Sequence, residues 1–399
     1  MSTNGAGPGH GRSRISQRVQ QIPASGIRKF FDLLSSMDGV ISLGVGEPDF
    51  RTPWVISDAG IHSIMREHTT YTSNYGTIEL RTGIARHLER LYGVSYNPHT
   101  EILVTVGVSE AMDLSMRALL DPGDEVLVPE PTYVAYNPCV ILAGGTPVGV
   151  PTYMAHDFRL QAANIEQRIT PATKAIILGY PNNPTGAVLS REDMQAIADL
   201  AHRHDLLVIS DEIYDRLVYD TVHTCFTSLA GMRERSVLLG GFSKAYAMTG
   251  WRIGYAAGPA PIIEAMMKVH QYVAMCAPTM SQDAAVEALI SGEPEVERMR
   301  EQYNYRRQFM VASFNQMGLT CFEPKGAFYT FPSIRATGMT SEEFAEGLLR
   351  EEKVAVVPGS AFGASGEGFV RACYAASLDQ IKDAMERMAR FTDKHRVPE

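Results

Sequence analysis

Three side chains capable of chemistry follow three apolar, strand-like runs of the sequence. Asn183 follows KAIILGY, Asp211 follows LLVIS, and Lys244 follows SVLLGGF. The spacing between these side chains suits successive strand–helix units. Ligands of open α/β sheets bind where the carboxyl ends of the strands meet. An amide, a carboxylate and an amine are therefore predicted to face one cleft.

Lys244 lies in the glycine-rich, apolar run GGFSKAYAMTGWRIGY, with Arg252 eight residues later. Burying a charged amine is costly, but desolvation and a neighbouring cation lower the pKa of an amine and free it as a nucleophile and base. A fourth apolar run, EILVTV, ends at Gly107-Val108-Ser109, where helical spacing begins. Free backbone N–H groups at a helix start suit a phosphate.

These groups together suit the cofactor pyridoxal 5′-phosphate. Lys244 would form a Schiff base with the aldehyde, and Asp211 would keep the pyridine nitrogen protonated, so that the ring withdraws electrons. Arg252 and the helix that starts near Val108 would hold the phosphate. The residues alone therefore predict an enzyme that uses this cofactor.

The elements that position these groups alternate between strand and helix from about residue 100, which predicts an α/β fold with a mostly parallel sheet sandwiched by helices. Towards the carboxyl end, PEVERMREQYNYRRQFMVASFNQMG and EEFAEGLLREE have helical spacing, whereas FYTFPSI and FVRACYA are typical of strands. We predict a disordered tail at 1–12, a large cofactor-binding domain at 56–289, and a smaller α+β domain from both chain ends, 13–55 and 290–399.

Seven motifs carry a resemblance to a known family, from roughly Ser13 to the carboxyl end. They are SLGVGEPDF (42–50), YTSNYGTIELR (71–81), VPEPTY (128–133), YPNNPTG (180–186), SDEIY (210–214), SKAYAMTGWRIGY (243–255) and VRACYA (370–375). In this order and spacing the chain resembles the class I/II aminotransferases, pyridoxal-phosphate enzymes of fold type I. The resemblance implies transfer of an amino group between an L-amino acid and a 2-oxo acid.

The resemblance also implies a role for each matching residue. Lys244 would carry the cofactor and shuttle a proton, and Asp211 would pair with the pyridinium. The remaining cofactor contacts would be Tyr214 and Asn183 on the ring hydroxyl oxygen, Tyr133 stacked on the ring, and Val108, Ser109, Ser243 and Arg252 on the phosphate. Arg371 would bind the substrate carboxylate, helped by Gly46 and Asn183.

The family pattern further implies a homodimer with a shared active site, in which Tyr71 reaches the phosphate of the neighbouring subunit. This chain departs from some relatives at Gly241, where they have a serine three residues before the lysine. That departure removes one phosphate ligand from the expected set.

Composition limits the partners and the compartment. The net charge is −9, which disfavours nucleic acid as a partner. No apolar run has the length of a membrane span, and the five cysteines are scattered, without a CxxC pair. We therefore expect a cytoplasmic enzyme that binds neither nucleic acid nor membrane.

Several alternatives stay open from the residues. GVSEA (107–111) nearly matches the GxSxG motif, so Ser109 could serve a serine hydrolase. A β-eliminating lyase of the same fold would use the same cofactor residues as an aminotransferase. Arg371 could be an exposed arginine on an edge strand, and NNPTG could be only a turn. His202 and His204 have no partner at ligand spacing, so no metal is expected.

Overall fold

The computed structural model describes residues 14–22 and 37–397. Its strands are β1 (Ile41–Ser42), β2 (Ile102–Thr105), β3 (Glu125–Glu130), β4 (Thr146–Pro151), β5 (Thr173–Gly179), β6 (Leu207–Asp211), β7 (Ser236–Gly241), β8 (Gly254–Ala257), β9 (Tyr329–Thr330), β10 (Val354–Ala355), β11 (Val357–Pro358) and β12 (Val370–Cys373). Its helices are α1 (Gln17–Gln20), α2 (Trp54–Met65), α3 (Ile78–Tyr92), α4 (Gly107–Leu119), α5 (Tyr136–Ala143), α6 (Ala162–Glu166), α7 (Arg191–Arg203), α8 (Ala260–Val273), α9 (Thr279–Ser291), α10 (Glu293–Gln316), α11 (Ser341–Glu352) and α12 (Leu378–His395).

A seven-stranded sheet has the order β2-β8-β7-β6-β5-β3-β4. Its strands run parallel except β8, which is antiparallel to both of its neighbours. The predicted mostly parallel α/β sheet is confirmed. Strands β5, β6 and β7 are adjacent, and Gly179 is in register with Asp211, which is in register with Leu239. The three predicted functional segments therefore leave the sheet side by side.

Burial explains why these segments form strands and why the helices lie on them. The residues of β2 are all buried, as are most of those of β3, β5 and β7, which matches strands covered on both faces. Helix α7 buries Met194, Ile197, Ala198 and Ala201, one stripe at helical spacing. The sheet is thus the middle layer of the large core.

A second hydrophobic core gathers residues that are distant in sequence. Leu43 packs in one cluster with side chains of α10, α11 and α12. Beside these helices, β12 pairs with β9 and β11 in a small antiparallel sheet, and β1 pairs with β10. The helical spacing of residues 294–318 is confirmed, because Glu293–Gln316 form α10. The exact domain bounds stay a prediction, and the expected tail at 1–12 lies outside the described residues.

Two strands differ from the expectation. FYTFPSI forms only the two-residue strand β9, because Pro332 has no N–H to continue a ladder. Strand β8 begins at the last two residues of the motif SKAYAMTGWRIGY, and its residues Gly254–Ala257 have no β-branched side chain. Such a glycine- and alanine-rich run carries little strand signal of its own, so the sheet around it determines its conformation.

Three features bear on partners. Among the described helices, none is both long and apolar enough to cross a membrane. In the same part of the chain, no group of three or more histidine, cysteine, aspartate or glutamate side chains could hold a metal ion. All five cysteines are free thiols.

We predict that Ser190→Ala lowers the free energy of unfolding by about 1 kcal/mol. Ser190 Oγ accepts the N–H of Asp193 at 3.1 Å, and the Asp193 carboxylate accepts the N–H of Ser190 at 3.0 Å. Urea titration of both proteins measures the difference. Ser190→Thr keeps the oxygen and serves as the control; equal stability of the alanine variant and the wild type would contradict the capping role.

Candidate active site

A cavity of about 640 Å³ opens beyond the carboxyl ends of β5, β6 and β7. Its wall includes the first turn of α4, the segment that follows each of the three strands, residues 44–47, and Arg371 of β12. Asn183, Asp211 and Lys244 all line this one cavity, so their predicted convergence is confirmed. Both cores contribute to the wall, because β12 belongs to the second of them.

Lys244 has an unusual environment for an amine. Its Nζ donates a hydrogen bond to the carbonyl oxygen of Gly46 at 2.7 Å and lies 5.8 Å from the ring centre of Tyr214. The pKa of Lys244 is lowered to about 8, chiefly because burial removes water from the amine. The cations of Arg371 and Arg252 also lower it, whereas Cys373 and Glu47 raise it. A large fraction of this lysine is therefore uncharged at mildly alkaline pH.

Asp211 is a buried carboxylate that has no cationic partner within ion-pair distance among the residues that the structure describes. One oxygen accepts the hydroxyl of Tyr136 at 2.8 Å and the other accepts the N–H of Ile213 at 3.2 Å. Burial raises the pKa of Asp211 to about 6 although both hydrogen bonds oppose the rise. A cation delivered by a ligand would stabilise the ionised form.

The first turn of α4 leaves an open space beside Arg252 that no described side chain fills; the backbone of residues 107–109 that borders this space is called the cradle. Gly107 has φ 76°, and a Cβ on it would lie 2.6 Å from Nη2 of Arg252. A Cβ on Gly254 would lie 2.8 Å from the backbone nitrogen of Val108. The guanidinium donates to the carbonyl oxygen of Thr249 at 3.0 Å. Backbone N–H groups and a guanidinium thus meet without intervening side chains, which suits an anion.

Arg371 is buried in the cavity wall, not exposed on an edge strand. It donates to Asn183 Oδ1 at 2.8 Å and to the carbonyl oxygen of Gly44 at 2.6 Å, and its guanidinium lies 4.5 Å from the ring centre of Tyr329. Only 4% of the residue is exposed, and its Nε has no hydrogen-bond partner within the described residues. The guanidinium nevertheless lines the cavity, where a ligand carboxylate could bind it.

The NNPTG motif is both a turn and part of the site. Asn182 closes the turn, because its side-chain oxygen accepts the N–H of Thr185 at 3.1 Å and its amide donates to Gly179 at 3.2 Å. Asn183, the second asparagine, lines the cavity and orients Arg371. The alternative of a turn alone therefore describes only half of the motif.

Most other predicted site residues also line the cavity. They are Gly46, Val108, Ser109, Tyr133, Tyr214, Ser243 and Arg252. The hydroxyl of Tyr214 is 2.7 Å from that of Tyr329. Tyr71 is the exception: it does not line the cavity, and its side chain is 78% exposed. Its expected role in a neighbouring subunit stays a prediction.

Two tyrosines of the site were missed by the sequence reasoning. Tyr136 holds Asp211, and a Cβ on Gly179 would lie 2.5 Å from its hydroxyl. It follows Tyr133 by three residues, and the turn between them, in which the N–H of Tyr136 donates to the carbonyl oxygen of Tyr133 at 3.2 Å, brings the centres of the two rings within 5.7 Å. A second tyrosine so close to a predicted site residue is a signal that could have indicated it. Tyr329 lies within a strand-like run that carries no sign of a site.

The cavity gives a serine hydrolase little support. Ser109 lies in the wall at the start of α4, but no histidine is among the lining residues. A serine nucleophile needs such a base within hydrogen-bond reach. The residues instead fit pyridoxal phosphate: a bare cradle for its phosphate, a buried carboxylate that lacks a cation, and an amine with a lowered pKa.

Comparison with known proteins also indicates an aminotransferase. The family model "Aminotransferase class I and II" matches residues 38–388. YugH of Bacillus subtilis, whose name describes it as an aminotransferase, is 52% identical over 96% of this chain and 99% of its own. An aspartate aminotransferase of Pyrococcus abyssi is 48% identical over 94% of this chain and 97% of its own. The crystal structure of an aromatic aminotransferase from Pyrococcus horikoshii OT3 superposes with a TM-score of 0.88 at 47% identity, covering 92% of this chain and 99% of the other.

The chain therefore belongs to the class I and II aminotransferases. It is a pyridoxal-phosphate-dependent enzyme of fold type I that transfers an amino group between an amino acid and a 2-oxo acid.

We predict that acetylation of Lys244 in the cofactor-free protein reaches half of its maximal rate near pH 8. Only the uncharged amine reacts, so the rate rises as pH passes upward through the pKa. Peptide mapping with isotope-labelled acetic anhydride measures it between pH 6 and 11. The same lysine in the urea-unfolded chain is the control, with a midpoint near its ordinary value of 10.5. Coincident curves would show that folding does not change the pKa.

Proposed function

We propose that the cavity is the active site of this aminotransferase and that Lys244 is its proton-transferring group. The observation that carries the proposal is the arrangement of charge in the wall: an amine with a lowered pKa shares the cavity with the buried carboxylate of Asp211 and the partly unpaired guanidinium of Arg371. A cofactor and a substrate carboxylate together bring the complementary charges.

Pyridoxal phosphate, when bound, supplies the electron-withdrawing ring that lets the substrate Cα lose a proton. Val108, Ser109, Ser243 and Arg252 hold its phosphate in this proposal. Asp211 holds a proton on the ring nitrogen, and Tyr136 keeps that carboxylate oriented. Asn183 and Tyr214, which line the cavity, would donate hydrogen bonds to the ring hydroxyl oxygen, and Tyr133 would pack against the ring.

Lys244 moves protons at its Nζ. The uncharged amine would accept the proton from the substrate Cα, and the resulting ammonium would hold that proton at Nζ and release it again within the cavity. A pKa of about 8 lies close to physiological pH, which is the condition for a group that must both accept and donate. The carbonyl oxygen of Gly46 accepts from Nζ and so holds the side chain in the cavity.

Arg371 binds the α-carboxylate that amino acid and 2-oxo acid share. Its bonds to Asn183 and Gly44 fix the guanidinium plane, and the ring of Tyr329 lies against it. A fixed guanidinium pays less entropy when it binds a carboxylate. The proposal rests here on a buried guanidinium that is fixed by two hydrogen bonds and lines the cavity.

We predict that Arg371→Leu lowers kcat/KM by about 30-fold to several thousand-fold in both half-reactions, because a buried charge pair loses one partner. Both substrates carry the α-carboxylate, so an amino donor and an oxo acid should lose similarly. Affinity for the cofactor, read from visible absorbance, should change little.

The measurement uses a panel of L-amino acids, including β-substituted ones, with 2-oxoglutarate as acceptor. Arg335, which lies over the ring of Phe369 outside the cavity wall, provides the matched control variant Arg335→Leu. Normal half-reaction rates for Arg371→Leu would leave the carboxylate site unassigned. Pyruvate released without amino transfer would indicate the β-eliminating alternative.

The active enzyme is a homodimer in this proposal. Large apolar side chains are exposed on α2, on the loop after it and at the end of α8. Among them are Trp54, Ile64, Met65, Tyr71, Tyr272 and Val273. Thr279 at the start of α9 donates to the carbonyl oxygen of Thr70 at 2.7 Å, which joins the loop after α2 to the start of α9. An exposed apolar surface of this kind suits a protein partner, and a second copy would bring Tyr71 to the neighbouring phosphate.

We predict that mixing Lys244→Ala with Tyr71→Ala chains restores activity that neither variant has alone at limiting cofactor. A hybrid dimer then contains one site with both an intact Lys244 and an intact Tyr71 from the other chain. Rates are measured after the subunits are unfolded and refolded together. Separately refolded variants, mixed afterwards on ice, are the control. No gain would mean that Tyr71 does not act across subunits.

We also place the enzyme in the cytoplasm, away from membranes and nucleic acid. The five free thiols support a reducing compartment. The net charge of −9 disfavours a polyanion such as nucleic acid as a partner. Small anionic substrates would instead be bound by individual arginines in the cavity.

A further inference from the structure

Glu110 lies in the first turn of α4, directly behind the cradle described above. Its Oε2 accepts the backbone N–H of Val106 at 2.5 Å. Val106 is the N-cap residue of the helix and makes no side-chain cap of its own. The carboxylate therefore fixes the backbone where strand β2 turns through Gly107 into the helix.

His270, near the end of α8, holds that carboxylate from the other side. Its Nδ1 is 2.9 Å from Glu110 Oε1. The imidazole is fully buried, and its Nε2 has no hydrogen-bond partner in the part of the chain that the structure describes. Glu110 is thus the side chain that hydrogen-bonds this ring. Because burying an unpaired nitrogen costs free energy, a purely structural role does not explain why a histidine is buried here.

We propose that Glu110 and His270 are positioning residues for the cofactor phosphate, an inference that rests on the phosphate site proposed above. By occupying the N–H of Val106, Glu110 holds the turn so that the next free N–H groups, those of Val108 and Ser109, are presented to the anion. His270 keeps the carboxylate in this place. Neither residue lines the cavity, so neither touches the cofactor.

The charge of Glu110 makes the hydrogen bond from His270 important. A carboxylate in the first helical turn is favoured by the helix dipole but repels a phosphate at the same helix end. A carboxylate that donors hold on both oxygens stays at Val106 and cannot turn towards the cradle. Without His270, Oε1 would lose this hydrogen bond, and the carboxylate could rotate to accept N–H groups at the start of the helix.

The test compares pyridoxal phosphate with pyridoxal, which lacks only the phosphate. Cofactor-stripped protein is titrated with each compound, and visible absorbance reports binding. Glu110→Ala and His270→Ala should each weaken pyridoxal phosphate by about ten-fold, the effect of one strong hydrogen bond, and leave pyridoxal nearly unchanged. Inorganic phosphate should also compete less well in both variants.

Conservative variants separate positioning from general damage. Glu110→Gln keeps an oxygen for the N–H of Val106, and His270→Asn keeps a donor near the place of Nδ1, so both should regain most of the affinity. Asp113→Ala removes an exposed ion pair with Arg117 on the same helix and serves as the control. Equal losses for pyridoxal and its phosphate, or unchanged affinity for both, would overturn the proposal.

A further variant keeps this test independent of the proposed function. Arg252→Gln should abolish most of the preference for the phosphate compound. If Arg252→Gln does so while the alanine variants at Glu110 and His270 bind normally, the phosphate site stands and the positioning role fails. If Arg252→Gln keeps the full preference, the phosphate site itself is wrongly assigned, and the positioning role falls with it.

Discussion

The constraint on which the candidate active site depends is the separation of buried charges that would otherwise neutralise each other. Lys244 and Asp211 share one cavity but form no ion pair; a carbonyl oxygen holds the amine, and a tyrosine hydroxyl and an N–H hold the carboxylate. Burial then moves both pKa values towards neutral pH, to about 8 and about 6. Each group is left to react with what enters the cavity, because neither is committed to the other.

The fold achieves this separation with two cores. Strands β6 and β7 are neighbours, so Asp211 and Lys244 leave the sheet side by side, yet three residues beyond β7 carry the lysine across the cavity towards Gly46. The second core supplies Arg371 on β12 and the aromatic ring against it. The proposed carboxylate site and the proposed cofactor site therefore belong to different hydrophobic cores, and the cavity lies where these cores meet.

The fold class and most residues of the candidate site could be predicted from the sequence. A polar residue that follows a strand-like run lies at the carboxyl edge of a parallel sheet, so the run itself indicates where the side chain will be. The three residues after such runs, Asn183, Asp211 and Lys244, converge as expected. What escaped was set by tertiary contacts. Strand β8 has little strand propensity of its own, and Tyr136 gains its role only from the distance between its helix and β6.

Gly179 shows how far such contacts extend into residues that carry no chemistry. It ends β5, and the hydroxyl of Tyr136 lies 2.5 Å from where its Cβ would be. The strand must be bare there for the tyrosine to reach Asp211 at 2.8 Å. A glycine that looks like an ordinary strand end is thus required here, because any side chain would clash with the tyrosine that orients the buried carboxylate. Because the space exists only when the helix packs on the sheet, the charge properties of Asp211 follow from the packing of both elements and not from the SDEIY motif alone.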